Sequence, residues 1–431
     1  MSKFQIVIIG LFGAFILVGV FVVATVRSSN SGPVFSVSIW GPISNVGFSQ
    51  ILQETGLDKN EQYNITYRFV NPASFDSLFV SALAEGRGPD LFFLPQDSIV
   101  KHYNKIYPIP YDRFPRRTFT DTFIQEGELY LSPQGILGLP ISIDPLVMYW
   151  NRTTFSNRGV PQPPRYWDEF KSGLAQLFTE RGQGLEIRRS ALPFGEYSNV
   201  SNASAILSAL IMQSGSEITQ WRSDGGVSVS LNQSSGGQSS PATAALDSYT
   251  EFSNPQRPLY TWSRAMPPSQ EVFISGNLAT YFGFASEVFE IQDKNPNLNF
   301  DVTTLPQARG ATASITYGRM YALAIPKMSP NSLGAFQVAT ILTSATGARS
   351  FSNITGLPPV RRDLLATRPT EDPYLAVFYT SALWARGWLE PSAGDVQRVF
   401  REMVESVTGG RERVSAAVSK ANAELKLLLE R

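Results

Sequence analysis

Apolar positions along the chain keep two rhythms, a period of two and a period near 3.6, in turn. The run "VFSVSIWG" (34–41) alternates and is β-branched, so it predicts a strand stopped by Gly-Pro. Residues 46–57 carry a helical pattern with a glycine stop, and "YNITYRFV" (63–70) predicts a second strand. "SFDSLFVSALAEG" (74–86) predicts a serine-capped amphipathic helix ended by Gly86. "GPDLFFLP" (88–95) is apolar throughout, the pattern of a strand covered on both faces in a parallel sheet. Strand, helix, strand, helix, strand defines one α/β lobe.

A second series follows. Helical patterns occupy 167–180 and 201–215, with a strand and turn at 189–195. Residues 227–252 predict a strand, a Gly/Ser loop and a helix opened by proline. A strand turning into a helix is expected over 277–291, a strand over 299–307, and a strand followed by a helix over 314–344. From "ALWARGWL" (382–389) to residue 431 the pattern reads as helical. Between the two series lies "MYWNRTTFSNRGVPQPPRYWDEF" (148–170). Its Gly-Val-Pro-Gln-Pro-Pro cannot continue a helix and predicts a stiff connector into the second lobe.

Composition narrows the chemistry. At 431 residues, with 43% hydrophobic and 17% charged positions, the chain suits two lobes with full cores. The 36 basic and 36 acidic residues balance, and the basic runs "RFPRR" and "EIRRS" are short, so nucleic acid is not expected as a partner. Without cysteine there is no thiolate nucleophile, disulfide, Cys-ligated metal or lipidated Cys. The one histidine, His102, reads as a surface or capping residue, and no metal or cofactor is expected.

The amino terminus differs from the rest. Residues 6–26 contain no charge, and at 1.5 Å per helical residue they span about 32 Å, enough for a hydrocarbon core of about 30 Å. The length favours a retained membrane anchor over residues 4–26, with a polar tether to residue 30 and the remainder on the outer face of the cytoplasmic membrane. A cleaved signal stays open, because small residues occur around Val22–Ala24.

Several blocks, in order, resemble the extracellular solute-binding proteins of ABC importers, the maltose-binding-like family. They are "GPDLFFL", the stretch 135–170 with its Tyr-Trp-Asn and Trp-Asp-Glu-Phe, and "FISGNLATYFGFAS" (273–286). "YGRMYALAIPKMSPN" and "TGLPPVRRDLL" (355–365) continue the series. The resemblance implies a class II periplasmic-binding fold of two α/β lobes around a hinge of crossing segments. Lobe 1 is expected over 31–143 plus about 319–347, and lobe 2 over 144–318 plus about 348–431. It further implies a monomer that closes on a small solute and serves permease subunits. The aromatic content, 28 Phe, 16 Tyr and 7 Trp, favours a sugar or oligosaccharide.

Within that frame the expected ligand contacts are Trp40 at the first strand's end, Asp97 after the third strand, and Asp144 midway through the first crossing. Trp150 follows, on the opposite side from Tyr149 and Asn151. Tyr197 and Asn199 resemble a contact loop, and Phe284 and Ser286 a strand-to-helix turn. Tyr317 marks the second crossing, and Trp384 or Trp388 supplies an aromatic from the last helices. Local alternatives are core packing for Trp40, a helix cap for Asp97 and a turn before Pro145 for Asp144. A glycoside hydrolase would need two carboxylates about 5–9.5 Å apart; no spacing singles out such a pair. A ligand-presenting sensor or adhesion role on the same fold remains a functional alternative.

Overall fold

The computed structural model describes residues 34–233 and 239–430. The expected anchor and tether over 1–30 lie outside the described residues. Among the described residues no helix is long and apolar enough to cross a membrane.

The predicted strands of the first series form where their patterns lie: β1 (Phe35–Gly41), β2 (Tyr63–Phe69) and β3 (Leu91–Pro95). β1 pairs parallel with both β2 and β3. Helices α1 (Asn45–Glu54) and α2 (Pro72–Ala84) connect them, capped by Ser44 and Asn71, whose side chains accept from the backbone N–H groups of Gly47 and Ala73. Asp90 locks the layout: its carboxylate accepts from the Ser38 backbone and hydroxyl at 2.9 Å and from Ser329 at 2.8 Å.

One long strand, β4 (Leu139–Asn151), is buried along nearly its whole length. Its first half pairs with β7 (Thr316–Ala324), and its second half with β5 (Thr280–Phe284) and β6 (Phe300–Thr304), all antiparallel. β7 in turn pairs antiparallel with β3 and, through Thr316 and Tyr317, parallel with the short β8 (Ala385–Arg386). β4, β7 and the 385–390 segment thus pass between two separate cores. One core gathers Ile39, Phe93, Ile143 and Leu323; the other gathers Leu146, Tyr149, Phe282 and Trp388. The crossings are packed tightly. A Cβ on Gly318 would stand 2.6 Å from Ile143 and 2.9 Å from Ala385, so only glycine lets the three segments meet there.

Three local expectations differ from the structure. Phe351, Val360 and Leu365 pack in the first core, so the segment after about 348 does not enter lobe 2 at once. Phe351 stacks on Phe93, with ring centroids 6.0 Å apart, because the apolar side of helix Ala345–Thr355 finds the first lobe's surface. The helical reading from 382 onward breaks at Ala385, where the chain becomes β8, and resumes at α3 (Ala393–Thr408). His102 is fully buried instead of capping a surface, edge-on to Phe79 and 2.8 Å from Asp76. That contact and the nearby Lys101 draw the Asp76 carboxyl down to about 2.

Candidate functional site

The two cores leave a cleft bounded by the crossing segments. It holds two adjoining cavities of about 320 Å³ each, which share Asp97 and Ala393. The lobe 1 half is walled by Val70, Phe75, Phe93 and Tyr321, with Gly41 and Pro42 at the turn after β1. The other half is walled by Tyr197, Phe284, Tyr317, Arg319, Glu390 and Arg401. The amino end of α3 forms part of both walls, through Ser392 and Ala393 on one side and Val396 and Gln397 on the other.

Each functional side chain is set by an identifiable local cause. Asp97 follows β3, whose apolar run ends at Pro95, and its Oδ1 accepts from the Ser98 hydroxyl at 3.1 Å. It makes no helix-capping bond. Burial raises its pKa, against the pull of Arg319. Its neighbour Gln96 clamps the second crossing, donating to the Gly318 carbonyl at 2.6 Å and accepting from the Met320 N–H at 3.0 Å. Tyr317 projects from β7 and donates to Glu390 at 2.7 Å. Glu390 lies just past β8, and its carboxyl is pushed up to about 8 by burial and by the charge of Asp97. Arg319 lies flat over Phe284, its guanidinium carbon 3.4 Å from the ring centroid, and reaches Asp144 at 3.6 Å.

Of the ten expected contacts, Asp97, Tyr197, Phe284 and Tyr317 line the cleft. Asp144 and Ser286 stand behind its wall. The Asp144 carboxylate accepts from the Ser286 hydroxyl at 2.7 Å and its N–H at 3.0 Å, which fixes the turn that carries Phe284. The four others line neither cavity. Trp40 is 7% exposed, pairs across the sheet with Arg68 and Phe92, and is covered by the Arg68 guanidinium at 4.8 Å. β1 is flanked by β2 and β3, its last side chains are buried on both faces, and of its residues only Gly41 lines the cavity.

Trp150 packs edge-on to Phe155 in the second core. Asn199 instead braces its loop, donating to the carbonyls of Ser263 and Met266 and accepting from Trp262. Trp384 closes the helix Pro373–Trp384 and is half-buried, while Trp388 is buried against Phe400 with its indole N–H on Ser208.

Arg319, Glu390, Arg401 and Gln397 escaped sequence reasoning. Glu390 alone had a usable signal, an acidic residue between an apolar pair and Pro-Ser. The others depend on where distant segments converge.

A cleft between two α/β lobes, walled by aromatic and charged side chains and spanned by three crossing segments, defines a two-lobed solute-binding protein. The family model for bacterial extracellular solute-binding protein matches residues 60–376, and the chain belongs to that family. A protein of Brucella abortus (strain 2308), whose name records only a presumed binding role, is 23% identical over 287 residues. That match spans 65% of this chain and 64% of the relative, just under two thirds of its length.

Solved structures extend the likeness in fold. A cyclo/maltodextrin-binding protein complexed with maltotetraose superposes with a TM-score of 0.74 at 16% identity, over 93% of this chain and 98% of that one. The cyclic alpha-maltosyl-1,6-maltose binding protein from Arthrobacter globiformis gives 0.73 at 15% identity, over 93% and 100%. A solute-binding protein of an ABC transporter from Thermotoga lettingae, bound with alpha-D-tagatose, gives 0.66 at 16% identity, over 92% and 100%.

Proposed function

We propose that the protein captures a sugar or short oligosaccharide in the cleft between its lobes and delivers it to an ABC importer. The observation that carries this reading is the wall shared by both lobes and the hinge. Tyr197, Phe284 and Tyr317 offer aromatic surface, while Asp97, Glu390, Arg319 and Arg401 offer hydrogen-bonding groups for hydroxyls. Two cavities of about 320 Å³ suit one ligand of one to a few sugar rings. Closure about β4, β7 and the 385–390 segment would bring the two halves onto the ligand, as hinge motions do in binding proteins. The bound sugars of the structural neighbours support the ligand class. The carboxyls are used for binding and not for bond cleavage, in keeping with relatives that are binding proteins.

We further propose that residues 4–26 hold the binding part at the outer face of the cytoplasmic membrane, where a monomer can meet permease subunits. The test is a thermal-shift screen of the purified full-length chain against neutral mono- and oligosaccharides, with amino acids as controls. A binder present at 100 times its Kd stabilises the protein by about 2.7 kcal/mol, a readily measured rise in melting temperature. No shift with any sugar, together with a clear shift from an amino acid, would overturn the sugar reading.

A further inference from the structure

The two cavities of the cleft differ in the free hydrogen-bonding capacity that faces them. Lobe 1 lines its cavity with six apolar residues, Pro42, Val70, Pro72, Phe75, Phe93 and Pro95. Three of them are prolines, which have no backbone N–H to offer a ligand. A Cβ at Gly41 would stand 2.5 Å from the Phe93 side chain, so only glycine leaves that ring in place at the wall.

Most polar side chains of this cavity are already bonded within its walls. Lys101 and His102 both bond Asp76, and the Ser98 hydroxyl donates to Asp97. Ser392 caps α3, donating to the Asp395 carboxylate at 2.7 Å and accepting from its N–H at 3.1 Å. What remains to meet a ligand is Asp97, the Tyr321 hydroxyl and the first N–H groups of α3, at Ala393 and Gly394. Asp97 and Ala393 are the residues that both cavities share, so this capacity lies toward the second cavity. The second cavity has apolar residues too, Val200, Phe284 and Val396, but beside them stand Arg319, Glu390, Gln397 and Arg401.

From this contrast we propose that the ligand is an aryl glycoside, with its sugar in the second cavity and its apolar aglycone in the lobe 1 cavity. The inference rests on the reading of the cleft as a sugar site and narrows it. A second sugar ring in the lobe 1 cavity would give up hydrogen bonds to water and find few partners in return. An aromatic ring has no such bonds to lose, gains from leaving water in proportion to its area, and meets the rings of Phe75 and Phe93. An apolar cavity of about 150 Å³ takes up benzene, so about 320 Å³ has room for a substituted ring. The glycosidic bond then lies at the boundary formed by Asp97 and Ala393.

The experiment compares glycosides of one sugar whose second ring either lacks or carries hydroxyls. The pairs are phenyl β-glucoside and cellobiose, phenyl α-glucoside and maltose, and phenyl β-galactoside and lactose. Affinities are measured by calorimetry on the full-length chain at two temperatures, which also gives the heat capacity change. The phenyl member of at least one pair is expected to bind about tenfold or more tightly than its partner. Its heat capacity change should also be the more negative, the mark of buried apolar surface. Val70→Thr keeps the shape of the wall but adds a hydroxyl, and should cut the preference about threefold.

If every disaccharide binds as tightly as its phenyl partner, the aglycone proposal falls and the sugar reading stands. If no phenyl glycoside binds, the aglycone proposal falls, and the sugar reading falls with it only when the wider neutral screen is also empty. A preference unchanged in Val70→Thr, or a heat capacity change no more negative than that of the disaccharide, would overturn the seating in the lobe 1 cavity.

Discussion

The two halves of the cleft are built from different materials. On the lobe 1 side, Val70, Phe75 and Phe93 present carbon, and the ion pair of Asp76 with Lys101 lies at the edge. On the other side Tyr197, Arg319, Glu390, Gln397 and Arg401 present donors and acceptors. A ligand spanning both is oriented by that contrast: its polar, specifying end belongs with the second half, and the less polar face of a ring with the first. Specificity therefore depends most on the segments 197–204 and 390–401, and the first half contributes mainly contact area.

The comparison can be broken by substitution, and the largest expected effect lies outside the cleft. Trp40→Ala removes a large side chain from the first core and should cost about 3–5 kcal/mol of stability. Chemical denaturation would check it. A variant of wild-type stability but weakened sugar binding would instead return Trp40 to the pocket.

Next is the hinge. Burial pushes Glu126 up to about 8 from 4.5, with Arg386 opposing, so folding favours its protonated form. The stability this confers is complete below about pH 4.5 and is lost as the pH rises through about 8. Glu126→Gln cannot ionise and should therefore gain on wild type across that window, most at the alkaline end. Melting temperatures at pH 5 and pH 8.5 test the sign: a gap that narrows with rising pH would show that Glu126 ionises without penalty.

Within the cleft, Arg401→Ala should weaken the tightest-binding sugar about tenfold, with little change in the stability of the free protein. Gln397→Ala, which removes a neutral group from the same wall, should weaken it about twofold to fivefold. If substitutions in the first half, such as Val70→Ala, cost more than either, the proposed division of labour between the halves is wrong.

The same contrast explains what could be read from the sequence. The order of elements was legible because the strands alternate with helical patterns along the chain, and β3 and most of β4 are apolar runs that belong in a sheet interior. Asp97, Tyr197 and Phe284 were reached through the family resemblance and Tyr317 as the mark of the second crossing, and all four line the cleft. Trp40 and Trp150 show where that reasoning fails. Period-two alternation tells which residues share a face, but in a sheet covered on both sides it cannot tell cleft from core.

Arg319 was hidden for a related reason: an arginine in a buried crossing strand looks like a defect until Asp144 and the Phe284 ring are seen beside it. Arg401 and Gln397 lie on a helix whose amphipathic pattern marks them only as solvent-facing, and the cleft is one part of the solvent. The switch at 385–390 was hidden because "ALWARGWL" has helical composition. Pairing with Thr316 and Tyr317, and the close approach that Gly387 allows to Glu126 and Gln96, override it.

The central claim, that one ligand is held jointly by both halves of this cleft, is tested most directly by amide hydrogen exchange on the full-length chain, with and without the tightest-binding sugar of the screen. The account predicts new protection in three separated segments at once: 95–101, 197–205 and 388–401. Protection confined to one lobe, or concentrated away from all three segments, would contradict it.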